Sequence, residues 1–212
     1  VAFANFIFIF LLRKLLSLYH KDKIITDVFD LGLLVGLMSL FFLPSLLFFI
    51  LIWITLVIFR PFNWREWIVP ILGLGFPWLT VGTWFFIQDE LSNYLYQTLP
   101  ATLATFQLPE SSAHHYYWIA LGVFLLPAIW EFLKEMSAGT VRINKALSIL
   151  LWAVVLAVVS LFIFNRDLNI LYFLIFPLSI ILGNFFLSLK RLWIGEIILS
   201  LLLILQIYAH FA

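Results

Sequence analysis

Seven long apolar stretches follow one another along this chain, at residues 1–12, 31–59, 68–87, 116–133, 146–164, 170–189 and 192–208, with scarcely a charged side chain inside them. A helix needs about 20 apolar residues to cross the hydrocarbon of a bilayer, and five of the stretches run 17 to 20. Only 11% of the residues are charged and 65% are hydrophobic, whereas an ordinary soluble domain is about 25% charged. The bilayer must therefore be the solvent. Lipid offers no partner to a backbone N–H or C=O, so only helices and closed barrels span it. The apolar runs are continuous rather than alternating, which selects helices. The expected fold is all-α: a polytopic transmembrane helix bundle forming one domain over residues 1–212.

The stretch 31–59 is too long for one comfortable crossing and short for two. Positive charge decides how to count it, because cytoplasmic loops are enriched in lysine and arginine. If the stretch enters and returns, Arg13, Lys14, Lys21, Lys23, Arg60, Arg65, Lys134, Arg142, Lys145, Lys190 and Arg191 share one side, and Arg166 stands alone on the other. A single crossing spreads the same residues almost evenly. The stretch is read as a short hairpin broken at Pro44, because the residue before a proline avoids the α region and proline suits the first turn of a helix. Arms over 28–43 and 44–59 would each measure about 24 Å at 1.5 Å per residue. This places loops 13–30, 60–67, 134–145 and 190–191 on the cytoplasmic side of the membrane, and the loop 88–115 and the C-terminus on the outer side. Trp64, Trp67, Trp130 and Trp193 at the inner ends, and Tyr94, Tyr96, Tyr116, Tyr117, Trp118, Tyr172 and Tyr208 at the outer ends, fit two interfacial aromatic belts. In the outer loop, Leu91, Leu95 and Leu99 recur at helical spacing, as in a short helix lying on the membrane surface.

The first stretch begins at Val1 with no charged segment before it and no small-residue cleavage site after it, so it does not read as a signal peptide. It is expected to be the tail of a spanning helix, with further helices upstream. The chain has no cysteine, which removes thiolate chemistry and disulfides. No basic, aromatic-studded segment points to nucleic acid. No phosphate loop, nucleophile elbow or zinc-protease helix occurs, and no cofactor or metal is expected.

The densest polar group is the turn Arg60-Pro61-Phe62-Asn63-Trp64-Arg65-Glu66-Trp67. It reads as an interfacial anchor, with Glu66 pairing with an arginine, or as a seat for a phosphate-bearing lipid headgroup, since arginine binds phosphate oxygens through paired hydrogen bonds. Asp27 and Asp30 share a helix face near an N-terminus, where the helix dipole favours carboxylates; a catalytic acid pair is the alternative. Glu196 lies inside an apolar run, where an ionisable group marks a functional site unless it reaches back to Lys190 or Arg191. Glu131, Lys134 and Glu135 read as a solvated helix end. Asp89, Glu90, Glu110, His114 and His115 form an acidic outer cluster without metal-ligand spacing. The polar inventory is too sparse for an ion path.

Two resemblances add to this reading. Phe29-Asp30-Leu31-Gly32, Gly36-Leu37, Ser39-Leu40-Phe41, Pro44-Ser45 and the Arg60–Trp67 block, with Gly73 and Pro77 after it, resemble an uncharacterised family of polytopic inner-membrane proteins from Bacteroidota. That implies a compartment and no mechanism. The broken hairpin at Pro44-Ser45, the basic turn, the helix ending near Pro77-Trp78, and Asn169-Ile170-Leu171-Tyr172 leading into Phe176-Pro177-Leu178 are more distantly similar to the membrane half of GT-C glycosyltransferases and O-antigen polymerases. Those enzymes use polyprenyl-phosphate sugars, with a catalytic acid in a first outer loop that has no counterpart here. Two functions are therefore expected: a non-catalytic subunit of a cell-envelope complex (secretion, motility or respiratory) bound to other membrane proteins, or a membrane enzyme of lipid-linked glycan assembly. Membrane lipids are expected partners in both, and a polyprenyl-phosphate lipid in the second.

Overall fold

The computed structural model describes residues 1–19, 21, 24–90, 141–163, 172–188, 193 and 200. The stretch 116–133, nearly all of 192–208, most of the loop 88–115, Arg166 and Glu196 lie outside them. The described residues form six α-helices: α1 (Ala2–Ser17), α2 (Ile25–Phe41), α3 (Phe49–Phe59), α4 (Trp64–Ile87), α5 (Val141–Ile163) and α6 (Tyr172–Ser188), with a 3-10 segment at Leu43–Phe48. There is no strand among the described residues. Among the described residues, two helices are long and apolar enough to cross a membrane, Trp64–Ile87 and, within α5, Ile143–Ser160. The chain divides into two compact units, residues 1–106 with 141–177 and residues 107–140 with 178–212. The first holds α1 to α5 and the start of α6. Of the second, the described residues are chiefly the remainder of α6.

Ring contacts give the helix directions in the first unit. Phe3 of α1 stacks on Phe41 at the end of α2, 5.8 Å between centroids, while Lys14 reaches Asp27 and Asp30 at its start. The two helices are therefore antiparallel. Phe8 meets Phe48 at 4.6 Å and Tyr19 meets Phe59 at 5.4 Å, so α3 runs alongside α1 and returns against α2. The reversal occupies residues 42–48. Helix α2 stops at Phe41, and Phe42 is extended (φ −153°, ψ 98°). Pro44 then sits in the first turn of the 3-10 segment, where its missing N–H is no loss. The break predicted at Pro44 is thus present, with α2 ending two residues before Leu43 and a tighter helix opening the second arm.

Helix α4 runs parallel to α2. Gly32 lies against Pro70, Gly36 against Leu74 and Pro77, and Ser39 bonds to Trp78. Lys145, near the start of α5, lies 5.7 Å from the Tyr19 ring. Phe173, near the start of α6, packs at the opposite end among Phe8, Phe42 and Phe48. One end of the unit consequently carries Lys14, Lys21, Asp27, Asp30, Arg60, Arg65, Glu66 and Lys145. Helix α4 finishes at the other end, near Asp89 and Glu90. There Asp89 takes a left-handed conformation, φ 57°. Its N–H and that of Glu90 bond to the carbonyls of Phe86 and Phe85, a Schellman closure of the kind usually built on glycine.

Candidate functional site

Three glycines set how closely α2 and α4 approach. A Cβ added at Gly32 would lie 2.0 Å from the Pro70 carbonyl oxygen, one at Gly36 2.6 Å from that of Leu74, and one at Gly73 2.2 Å from that of Phe29. Backbone atoms of the facing helix occupy the space of a side chain. Glycine in a helix interior costs about 1 kcal/mol relative to alanine in water, but in lipid the backbone must stay helical to satisfy its own polar groups. Close contact then outweighs propensity, as in small-residue helix pairs of membranes. The seam also carries a polar tie. Trp78 Nε1 donates to Ser39 Oγ at 2.7 Å, and Ser39 Oγ donates to the Gly36 carbonyl at 2.7 Å, so the buried hydroxyl is satisfied in both directions.

Helix α4 buries Glu66, Pro70, Gly73 and Pro77 in one stripe at helical spacing, and the last three form its side of this seam. Its other sides expose Ile68, Ile71, Leu72, Phe76, Leu79, Trp84, Phe86 and Ile87. The hydroxyls of exposed Thr80 and Thr83 donate to the Phe76 and Leu79 carbonyls of their own helix, which leaves no polar demand on the surroundings.

At the charged end, α2 begins without a side-chain cap on Ile24, and Asp27 stands in its first turn. Asp27 and Asp30, three residues apart, share the face that meets α1. Lys14 bonds to Asp30 and lies 3.5 Å from Asp27, and Lys21 bonds to Asp27 at 2.9 Å. The hydrogen bond from Lys21 holds the Asp27 carboxyl below its ordinary value, against the opposing effect of burial, with the charge of Lys14 adding to the lowering. Asp27 precedes the apolar part of α2. Lys14 and Lys21 hold it as an ion-pair partner.

The turn from α3 to α4 is built around Glu66. Arg60 and Asn63 are extended. The Asn63 side-chain oxygen caps α4 by accepting from the Arg65 N–H at 3.3 Å, and its carbonyl accepts from the Glu66 N–H at 3.0 Å. In return Asn63 Nδ2 donates to Glu66 Oε1 at 3.1 Å, a reciprocal arrangement close to a capping box. Glu66, 9% exposed, has Arg60 Nη1 3.9 Å from the same oxygen. Trp67 turns inward and stacks on Trp53 at 6.0 Å and 16°, where Phe62 also meets it at 5.3 Å. Trp64 and Arg65 turn outward, with the guanidinium 5.6 Å from the indole centroid.

The predicted pairing of Glu66 with an arginine thus falls to Arg60, and of the two indoles only Trp64 is exposed. The turn and the Asp27–Asp30 pair lie at the same end of the unit, and Glu196 is outside the described residues. The sequence reading overlooked the glycine seam and the reach of Lys14. The spacing Gly32-x-x-x-Gly36 inside an apolar stretch, with Ser39 one residue short of the next turn, was the available signal for the seam. Among the described residues, no group of three histidine, aspartate or glutamate side chains is gathered as a metal site would require. The chain matches no protein-family model, no curated protein and no solved structure.

Proposed function

We propose that the chain is a multi-pass protein of a bacterial inner membrane that serves as a non-catalytic subunit of a cell-envelope complex. The supporting observation is the state of its carboxylates. The six helices contain three, Asp27, Asp30 and Glu66, and each is engaged by Lys14, Lys21 or Arg60. Among the described residues every helix carboxylate has a cationic partner. Charge in this unit ties helices together, while α4 turns apolar side chains and internally satisfied hydroxyls outward, a surface suited to lipid and to other membrane helices. The basic end is assigned to the cytoplasm by the positive-inside rule.

The second reading, an enzyme of lipid-linked glycan assembly related to the GT-C group, draws on the exposed guanidinium of Arg65 as a contact for a polyprenyl phosphate. It needs a catalytic acid from outside the six helices. Purification from the native membrane in mild detergent, with mass spectrometry of every co-purifying protein and lipid, separates the two. The subunit reading expects one or more membrane proteins in fixed stoichiometry. A lone chain carrying a polyprenyl phosphate or its sugar conjugate would overturn it in favour of the enzyme.

A further inference from the structure

The two arginines of the α3–α4 turn face opposite ways, and their surroundings divide their work. Arg60 is turned toward buried Glu66. Arg65 is exposed, and among the described residues its guanidinium meets no carboxylate; its contact is the face of Trp64. The N–H groups of Arg65 and Glu66 at the α4 N-terminus are already taken by the side-chain and main-chain oxygens of Asn63. Beside Arg65 stand two large aromatic side chains given to the surroundings, Phe62 at 74% and Trp64 at 60% exposure. The same end carries Arg13, Lys14, Lys21, Arg60 and Lys145 against Asp27, Asp30 and Glu66, so cations are in excess.

We infer that Arg65, braced by Trp64 and flanked by Phe62, binds the phosphate of an anionic phospholipid headgroup. A guanidinium meets two phosphate oxygens at once through its forked donors. Stacking on an indole orients that fork and leaves its charge available. The flanking rings favour a lipid over free phosphate: indole and phenyl groups settle at the headgroup–acyl boundary, where an inorganic ion gains nothing from them. The inference rests on the membrane placement proposed above, but not on the choice between subunit and enzyme.

The test uses the full chain, purified in mild detergent and exchanged into mixed micelles of equal phosphatidylglycerol and phosphatidylcholine, with retained lipid counted by native mass spectrometry. Wild type should retain phosphatidylglycerol in clear preference. Arg65→Gln should retain about fivefold less, the worth of one basic side chain near an anionic surface, and Arg65→Lys should fall between, keeping charge but losing the fork. Inorganic phosphate at the same concentration should displace none of it. Unchanged retention in Arg65→Gln, equal retention of the two lipids by wild type, or displacement by inorganic phosphate would each overturn the inference. If Arg65→Gln melts below wild type, the Lys variant and the wild-type lipid preference still decide. Failure of the wild-type chain to remain in alkaline-washed membranes would instead overturn the membrane placement.

Discussion

Replacing Gly32 with leucine should separate α2 from α4 and destabilise the chain by about 3 kcal/mol or more, at the upper end of what overpacking costs. The Pro70 carbonyl already occupies the Cβ position, so no rotamer of any side chain relieves the clash. Gly73→Ala should do the same on a smaller scale, because its Cβ would meet the backbone oxygen of Phe29 at 2.2 Å. The same exchange elsewhere on α4 should act in the opposite direction. Nothing lies within 4 Å of a Cβ added at Gly75 or Gly82, so alanine there should leave stability unchanged or raise it by up to about 1 kcal/mol through helix propensity. Thermal melts of the four variants in one detergent give the comparison. Equal behaviour of Gly73→Ala and Gly75→Ala would show that α2 and α4 do not meet face to face.

The second large effect should come from Arg60→Ala. Glu66 is buried beneath the turn with Arg60 and Asn63 as its polar neighbours. Removing the arginine leaves a carboxylate with only an amide donor, and uncompensated burial of this kind costs about 1–3 kcal/mol. Glu66→Gln keeps an acceptor for Asn63 and has no charge to strand. Arg60→Ala made in the Glu66→Gln background should therefore cost less than in the wild type. The double-mutant cycle isolates that coupling; strictly additive melting shifts would mean that the two residues do not sense each other.

These expectations rest on features that differ in how openly the sequence displays them. Proline limits its own backbone and that of the residue before it, so the break near Pro44 is a local property and could be read locally. The single charged end of the first unit follows from that break together with the positions of Arg13, Lys14, Lys21, Arg60, Arg65 and Lys145. The glycine seam is different in kind. Gly32 and Gly36 become informative only beside Pro70, Gly73 and Pro77 of another helix, and no periodicity within either stretch names its partner. The site followed the same division. Asn63 capping α4 with Glu66 close by is a matter of neighbouring residues. The inward turn of Trp67 depends on Trp53, however, and the reach of Lys14 to Asp27 and Asp30 depends on how α1 crosses α2. Spacing alone had allowed Asp27 and Asp30 to be an acid pair; two lysines from outside α2 hold them as ion-pair partners.

The central claim is that residues 42–48 reverse the chain, so that the segment after α1 and the turn before α4 share one face of the membrane. The chain has no cysteine, so single cysteines placed at Ser17, Pro61 and Gln88 can be labelled without background. In sealed vesicles of known orientation treated with a membrane-impermeant maleimide, Ser17→Cys and Pro61→Cys should react from the same side and Gln88→Cys from the other. Labelling of Ser17→Cys and Pro61→Cys from opposite sides would mean that 31–59 crosses once, and would contradict the account.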